Sequence, residues 1–215
     1  MKLSDINVRD PFVLTHEGKY YLYGTRAIHT WTDEIGDGYG FDVYVSTDLE
    51  NWDGPKSIFE NSDSFWGDFQ FWAPEVHKYE GRFYLFATFC SKERFRGTAI
   101  LSCDTPDGVF TEHSRGAVTP RDWSSLDGTL YVENGTPYIV FCHEWTQIKD
   151  GEISVCQLSK DLKEAVGEPF TMLKASDGCP NVKTIGDDNY VTDGPFMMNV
   201  DGELICLWSS YGENG

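Results

Sequence analysis

The chain has 215 residues, of which 35 are acidic and 17 are basic, so its formal net charge at neutral pH is −18. A surface this negative argues against nucleic acid and anionic membranes as partners, because their phosphate groups would be repelled, while uncharged ligands are not disfavoured. The length is sufficient for one large domain with its own core. Aromatic residues make up 15% of the chain, which indicates either an aromatic sheet core or ring platforms for a ligand.

The first ten residues, MKLSDINVRD, contain no apolar segment of signal-peptide length. We therefore expect a cytoplasmic protein, or a secreted one if a leader has been removed. No apolar run reaches the length of a transmembrane helix. The six cysteines do not have a metal-binding spacing such as C-x-x-C, and we expect reduced thiols that pack as small apolar side chains.

The first predicted element is a β-hairpin over residues 9–25, RDPFVLTHEGKYYLYGT. Its Asp10-Pro11 pair cannot lie inside a helix and marks the start of a strand. A turn at Gly18 separates this strand from a second one that is rich in aromatic residues. The pattern predicts a hairpin with a carboxylate held at the start of its first strand.

The same hairpin pattern occurs four times along the chain. The proline or glycine that follows the strand start lies at Pro11, Pro74, Gly128 and Pro195, and the turn glycine seven residues later lies at Gly18, Gly81, Gly135 and Gly202. The turn glycines are 63, 54 and 67 residues apart, which indicates a repeat with insertions. Repeated antiparallel units of this size are typical of the blades of a β-propeller.

We therefore predict an all-β fold, a β-propeller of the five-bladed type with about four blades in this chain. The blades are predicted at about 1–60, 70–118, 124–170 and 190–215, the last one incomplete, within a single domain over 1–215. A third strand in each complete blade is supported by the match between Ser46-Thr47-Asp48-Leu49 and Ser159-Lys160-Asp161-Leu162. The fourth unit has two predicted strands, and its open edge offers a surface for oligomerisation.

Four carboxylates lie near the starts of the first strands, at Asp10, Glu75, Asp127 and Asp193. Inner strands of a propeller line its central channel, so these side chains are expected to face one mouth. Paired carboxylates supply the general base and general acid that glycoside hydrolysis requires. Taken singly, Asp-Pro and Asp-Gly pairs are also ordinary turn elements that cap a strand.

The sequences of the four repeated hairpins together resemble glycoside hydrolase family 43 over nearly the whole chain, and W-A-P-E at Trp72–Glu75 is the most specific motif. The resemblance implies a five-bladed propeller glycosidase that cleaves arabinofuranosyl or xylosyl linkages in plant polysaccharides or oligosaccharides and inverts the anomeric centre. It implies Asp10 as the general base and Asp127 as the residue that tunes and orients the acid. Asp193 lies at the position of the general acid. A neutral carbohydrate is the implied partner, and no cofactor is implied as required, although the central channel leaves room for a calcium ion.

Two departures from the family pattern affect this reading. Asp193 stands where the family has glutamate, and its side chain is shorter by one methylene, about 1.5 Å. Glu144, in the sequence Cys142-His143-Glu144-Trp145, is therefore a second candidate for the general acid, with a structural ion pair as the equally weighted alternative. The second departure is that the fifth blade is not within the 215 residues.

Aromatic side chains near the strand starts are candidates for a wall on which a sugar ring stacks, although a buried core position is the alternative for each. The substrate-binding candidates are Trp72, Glu75, Phe71, Trp145 and His143, with Trp66 and Trp31 as further aromatic candidates. No residue is assigned to a metal.

Two other functions remain alternatives. A non-catalytic carbohydrate-binding propeller would explain the Asp193-Gly194-Pro195 change as lost activity. A related fructosidase or a mannoside phosphorylase is less consistent with the sequence. The Asn-Asp-Pro-Asn-Gly start of fructosidases is absent, and Arg94 and Arg96 alone do not form a phosphate-binding cluster.

Overall fold

The computed structural model describes residues 1–27, 39–178, 183–186 and 188–212. The strands are β1 (Val8–His16), β2 (Lys19–Arg26), β3 (Gly40–Ser46), β4 (Trp52–Glu60), β5 (Phe69–Tyr79), β6 (Arg82–Ser91), β7 (Arg94–Cys103), β8 (Thr111–Ala117), β9 (Ser125–Glu133), β10 (Thr136–His143), β11 (Glu152–Leu158), β12 (Ala165–Lys174), β13 (Asp193–Val200) and β14 (Glu203–Ser209). A 3-10 turn at Leu3–Asp5 and two single-turn helices, α1 (Trp145–Ile148) and α2 (Ala175–Gly178), complete the regular structure of these residues. Neither helix has the length or the apolar character needed to cross a bilayer. The predicted all-β class is confirmed.

The strands form three four-stranded sheets and one hairpin, and sequential strands are neighbours in each. The sheets span β1–β4, β5–β8, β9–β12 and β13–β14, which correspond to residues 8–60, 69–117, 125–174 and 193–209. Each range contains one of the four repeated hairpins, and the predicted blade bounds stay a prediction. The prediction that 1–215 is a single domain stays a prediction.

All four hairpins turn through two residues with positive φ, the second of which is a glycine. The pairs are Glu17-Gly18, Glu80-Gly81, Asn134-Gly135 and Asp201-Gly202. Two successive residues with positive φ are typical of a type I′ turn, whose twist matches that of the flanking strands. Glycine has no Cβ and adopts this conformation without steric cost, which explains why the turn glycines identify the repeat in the sequence.

A β-bulge interrupts the first strand of each sheet at one repeat position. In β1 the pairing with β2 shifts between Arg9 and Phe12, and equivalent shifts occur in the other three hairpins. The first bulged residue has positive φ in all four strands: Asp10 (49°), Ala73 (45°), Asp127 (53°) and Gly194 (50°). Bulges change the direction of a side chain and are common next to active sites. The structure thus places Asp10 and Asp127 at equivalent positions and Asp193 one residue earlier, as the sequence alignment predicts.

The predicted third-strand repeat is also present. In the first sheet, the Leu49 N–H donates to Ser46 Oγ (2.9 Å), and Leu49 has a φ of 64°. In the third sheet, the Lys163 N–H donates to Ser159 Oγ (3.1 Å), and Leu162 has a φ of 58°. The hydrogen bond that both turns share is donated by the serine hydroxyl to the aspartate two residues later, at 3.1 Å from Ser46 to Asp48 and 2.7 Å from Ser159 to Asp161. The repeat therefore extends to the turn after the third strand.

The chain forms two compact units, each with its own core. The first comprises Met1–Glu93 with Ala99–Gly116, and the second comprises Arg94–Thr98 with Ala117–Gly215. In the first unit, buried rings from two sheets pack together, and they include Phe41, Phe59, Phe71 and Phe89. In the second unit, Leu126, Val140, Cys142, Ile153 and Val155 pack against Met197, Cys206 and Trp208. The five cysteines among the described residues are free thiols, two of them buried.

Candidate active site

In the first unit, Asp10 is held at the bulge of β1 by a short hydrogen-bond chain. Its side chain is exposed, and its Oδ2 accepts a hydrogen bond from Thr25 Oγ1 at 2.6 Å. Thr25 is only 1% exposed, and its Oγ1 accepts in turn from the Ala73 N–H at 2.8 Å. Gly24 lies opposite this bulge, where a Cβ would come within 2.8 Å of the Arg9 carbonyl oxygen. One carboxylate oxygen of Asp10 is therefore fixed, while the side chain remains open to solvent.

In the second unit, Asp127 occupies the equivalent bulge in β9 and is half-buried. Its Oδ2 accepts a hydrogen bond from the Gly194 N–H at 3.2 Å. Gly194 is the bulged residue of β13, directly after the exposed Asp193. Asp127 therefore fixes the start of the strand that carries Asp193, which brings two of the predicted catalytic residues together.

The pKa of the Cys142 thiol reflects the proximity of Asp127 and Asp193. Its side chain is fully buried, and its pKa is raised well above that of an ordinary thiol. Burial is the largest cause, followed by the negative charges of Asp127 and Asp193, while a hydrogen bond with Thr192 acts in the opposite direction. The thiol is therefore neutral at physiological pH and serves as apolar packing beneath the carboxylates.

Glu144, the alternative acid, has both oxygens engaged. Its Oε1 accepts from Arg96 Nη1 at 2.5 Å, and its Oε2 accepts from Ser124 Oγ at 2.8 Å. The residue is 6% exposed, and its N–H donates to the Ser124 carbonyl oxygen at 2.8 Å. A carboxylate held in this way has no oxygen directed at a leaving group, so the geometry favours the ion-pair interpretation of Glu144.

His143 is also held by protein groups. Its ring stacks on Trp123 with centroids 4.0 Å apart and an interplanar angle of 10°. Its Nε2 lies 2.8 Å from Gln147 Oε1. The Gln147 amide nitrogen donates to the Asp122 carbonyl oxygen at 2.8 Å, so the oxygen faces the histidine, and Nε2 carries the proton. His143 is 7% exposed, so the geometry favours a structural role, and its role in substrate binding stays a prediction.

The aromatic candidates divide into core and accessible residues. Phe71 is 3% exposed and packs against the rings of Phe41, Phe59, Phe65 and Phe89, so the geometry favours the core alternative, and a substrate contact stays a prediction. Trp66 is half-buried and also packs on Phe89. Trp72 and Trp145 are half-buried and retain accessible surface, which is compatible with a sugar wall. Trp31 lies outside the described residues.

Glu75 is half-buried in β5 and faces a histidine on the same strand. Its Oε2 lies 3.1 Å from Nε2 of His77, whose ring packs on Phe12 and Phe86. Glu75 lies two residues past the bulge at Ala73. Glu75 therefore remains compatible with a hydrogen-bonding role towards substrate.

No group of three or more His, Cys, Asp or Glu side chains among residues 1–27, 39–178, 183–186 and 188–212 is arranged to hold a metal ion. The calcium ion left open by the sequence therefore has no assigned ligands in these residues.

Similarity to known proteins identifies the family of the chain. The profile of "Glycosyl hydrolases family 43" matches residues 4–215. The crystal structure of an endo-arabinase from Bacteroides thetaiotaomicron VPI-5482 superposes with a TM-score of 0.89 at 40% identity, over 99% of this chain and 73% of that one. This chain belongs to glycosyl hydrolases family 43.

Curated relatives of the family 43 chain are more distant. It is 26% identical over 155 residues to xylosidase/arabinosidase 43A of Humicola insolens, covering 66% of this chain and 46% of that protein. It is 25% identical over 176 residues to extracellular endo-alpha-(1->5)-L-arabinanase 1 of Bacillus subtilis (strain 168), covering 77% of this chain and 50% of that protein. The chain thus spans about half the length of these curated relatives.

Family 43 membership also confirms the predicted fold type. The matching solved structures support a five-bladed propeller fold, of which the family 43 chain contains about four blades.

Sequence reasoning missed Thr25 as a partner of Asp10, Arg96 as a partner of Glu144, and Trp123 as a partner of His143. Thr25 had a detectable signal, since it lies seven residues after the turn glycine, as Thr88 does in the second hairpin. Arg96 is 48 residues from Glu144 in sequence, and no local pattern joins them.

Proposed function

We propose that this protein is an inverting glycoside hydrolase. Arabinofuranosyl linkages are the favoured substrate class, and xylosyl linkages are the second candidate. The observation that carries the proposal is the repeated bulge with its aspartates: Asp10 and Asp127 lie at equivalent bulges, and Asp193 lies beside the Asp127-bound Gly194. Family membership supports a propeller in which the starts of the inner strands share one mouth. Arabinose-containing substrates come first because the relatives described above are named for arabinan or arabinoside cleavage.

In this mechanism Asp10 acts as the general base. It accepts a proton from a water molecule whose oxygen attacks the anomeric carbon, while the bond from that carbon to the leaving oxygen breaks. Asp193 donates its proton to the leaving oxygen, and the Asp127 carboxylate fixes the backbone that presents Asp193. Asp193 is favoured over Glu144 because its side chain is exposed, whereas both oxygens of Glu144 are held by Arg96 and Ser124.

The test is turnover of linear arabinan, an aryl α-L-arabinofuranoside and an aryl β-D-xyloside by the wild-type protein and by Asp10→Ala. We expect Asp10→Ala to lose at least about a hundredfold in kcat with sugar binding retained, because general base catalysis contributes about that factor or more. Asp53→Asn, an exposed charge removal on β4, is the matched control and should keep the wild-type rate. An Asp10→Ala protein that keeps more than about a tenth of the rate would exclude Asp10 as the base.

A non-catalytic carbohydrate-binding protein is the second candidate. The shorter aspartate at position 193 favours it, because displacement of a reacting group by about 1 Å costs on the order of a hundredfold in rate. Sugar binding without turnover of any of the three substrates would support this alternative.

A further inference from the structure

We propose that Thr25 is a positioning residue that fixes one carboxylate oxygen of the general base Asp10 and leaves the other for the attacking water. This inference rests on the proposed function. Thr25 Oγ1 donates to Asp10 Oδ2 at 2.6 Å and accepts from the Ala73 N–H at 2.8 Å. A carboxylate only accepts, and a backbone N–H only donates, so the direction of both hydrogen bonds is determined. The hydroxyl proton of Thr25 therefore points at Asp10.

The chain of hydrogen bonds crosses three strands. Asp10 belongs to β1, Thr25 to β2 and Ala73 to β5, and both Asp10 and Ala73 are bulged residues with positive φ. Thr25 is 1% exposed, so its hydroxyl is shielded from competing water. A hydrogen bond to a charged acceptor in a shielded position is short and about twice as strong as a neutral one. It therefore restricts the rotation of a carboxylate that would otherwise turn freely at an exposed strand start.

The repeat itself provides the comparison that separates function from architecture. The residue seven positions after each turn glycine is Thr25, Thr88, Cys142 or Ser209, and each pairs with the residue just before a bulge. Thr88 is fully buried like Thr25, but the bulged residue beside it is Ala73, which carries no carboxylate. Cys142 flanks the bulge of Asp127. If the hydroxyl only stabilises the fold, its removal should have the same effect at Thr25 and at Thr88. If it positions the base, only its removal at Thr25 should lower activity.

The strands packed around Asp10 carry other charged or titratable groups. β1 packs against β2 and β5. The groups on these strands include Arg9, Tyr23, Arg26, Glu75 and His77. Arg26 donates to Asp42 and Glu60, Glu75 contacts His77, and the Tyr23 hydroxyl donates to the Pro106 carbonyl oxygen.

During the reaction, Asp10 Oδ1 takes the proton that the water loses as its oxygen bonds to the anomeric carbon. Asp193 supplies a proton to the leaving oxygen, so the protein gains one proton and loses one. The Thr25 proton stays on its own oxygen throughout. Thr25 acts only by holding Oδ2 before the attack.

The experiment compares Thr25→Val, Thr25→Ser and Thr88→Val. Valine removes the hydroxyl at nearly constant volume, serine restores it, and Thr88→Val is the repeat-matched control. Steady-state kinetics on an aryl arabinofuranoside give kcat and KM. The orientation of the Asp10 carboxylate is followed separately by crystal structures of wild type and of each variant, which require no turnover.

We expect Thr25→Val to lower kcat by about tenfold to a hundredfold with little change in KM. The Asp10 carboxylate should lose its single orientation in the crystal structure of Thr25→Val, because the donor that holds Oδ2 is gone. Thr25→Ser should stay within about threefold of wild type. Thr88→Val should change neither the rate nor the orientation of the Asp10 carboxylate, although it can lower Tm.

An unchanged Asp10 carboxylate orientation in Thr25→Val would overturn the inference, as would an equal loss of kcat in Thr88→Val. If Thr25→Val does not fold, Thr25→Cys serves instead, because the repeat already carries cysteine at this position in the third hairpin. The weaker thiol donor should give a smaller loss of kcat, and no loss would again contradict the proposal. A wild-type protein without turnover in which the Asp10 carboxylate still loses its orientation in Thr25→Val would refute the proposed function and leave the hydrogen-bond assignment intact.

Discussion

Replacement of Glu144 by glutamine removes a charge but keeps the length of the side chain, and it separates a structural ion pair from a general acid. The Glu144 side chain is 7% exposed and that of its partner Arg96 is 21% exposed. Loss of one partner from a fully buried pair costs about 3–5 kcal/mol. Because Arg96 keeps some solvent contact and the glutamine amide still accepts hydrogen bonds, we expect a loss of about 2 kcal/mol. For a chain of this length, that loss corresponds to a drop in Tm of about 4–8 °C.

The assay combines thermal unfolding with hydrolysis of aryl glycosides whose leaving groups differ in pKa. At a temperature well below its Tm, Glu144→Gln should show the same leaving-group dependence as wild type. Asp193→Ala should lose at least about a hundredfold on poor leaving groups and little on activated ones, because a good leaving group does not need protonation. Glu164→Gln, an exposed glutamate in the same unit, is the stability control and should stay within about 0.5 kcal/mol. The reasoning is refuted if Glu144→Gln keeps its Tm and selectively loses poor leaving groups.

Further outcomes follow from the burial and charge of individual side chains. Phe71→Ala should lower the free energy of unfolding by about 3–5 kcal/mol without a change in KM, whereas Trp72→Ala should raise KM by about threefold to tenfold. Because burial and two aspartates raise the pKa of Cys142, iodoacetamide should not alkylate this thiol in the native state at pH 8. Its contribution to stability should be present below the ordinary thiol pKa and decline as pH rises above it, as urea unfolding of wild type and Cys142→Ala would show. Chelation with EDTA should leave kcat unchanged, and a loss restored by calcium would instead establish a metal site.

The repeat was predictable because two of its positions have strict backbone requirements. The second residue of each hairpin turn has positive φ, and the sequence places glycine there in all four copies, from Gly18 to Gly202. Asp10 and Asp127 could be aligned because the residues that follow them mark the same bulge. Aspartate is among the few side chains that tolerate a left-handed backbone, so the acids themselves also fit these positions.

The contacts that the sequence does not indicate are distant along the chain or depend on burial. Phe71 and Trp72 are neighbours in one strand, and only the packing shows that Phe71 enters the core while Trp72 keeps accessible surface. The partners of His143 and Glu144, which are Trp123 and Arg96, became known only from the structure. Single-sequence patterns carry little information on such side-chain partners, because nothing local specifies them.

The configuration of the first-formed sugar tests the central claim of an inverting two-carboxylate mechanism most directly. Proton NMR during hydrolysis of an aryl β-D-xyloside records the anomer before mutarotation. The account predicts that the α-anomer appears first, with the base and acid carboxyls about 6.5–9.5 Å apart to admit a water molecule. Initial release of the β-anomer would contradict it, because retention requires a covalent intermediate and carboxyls only about 5 Å apart.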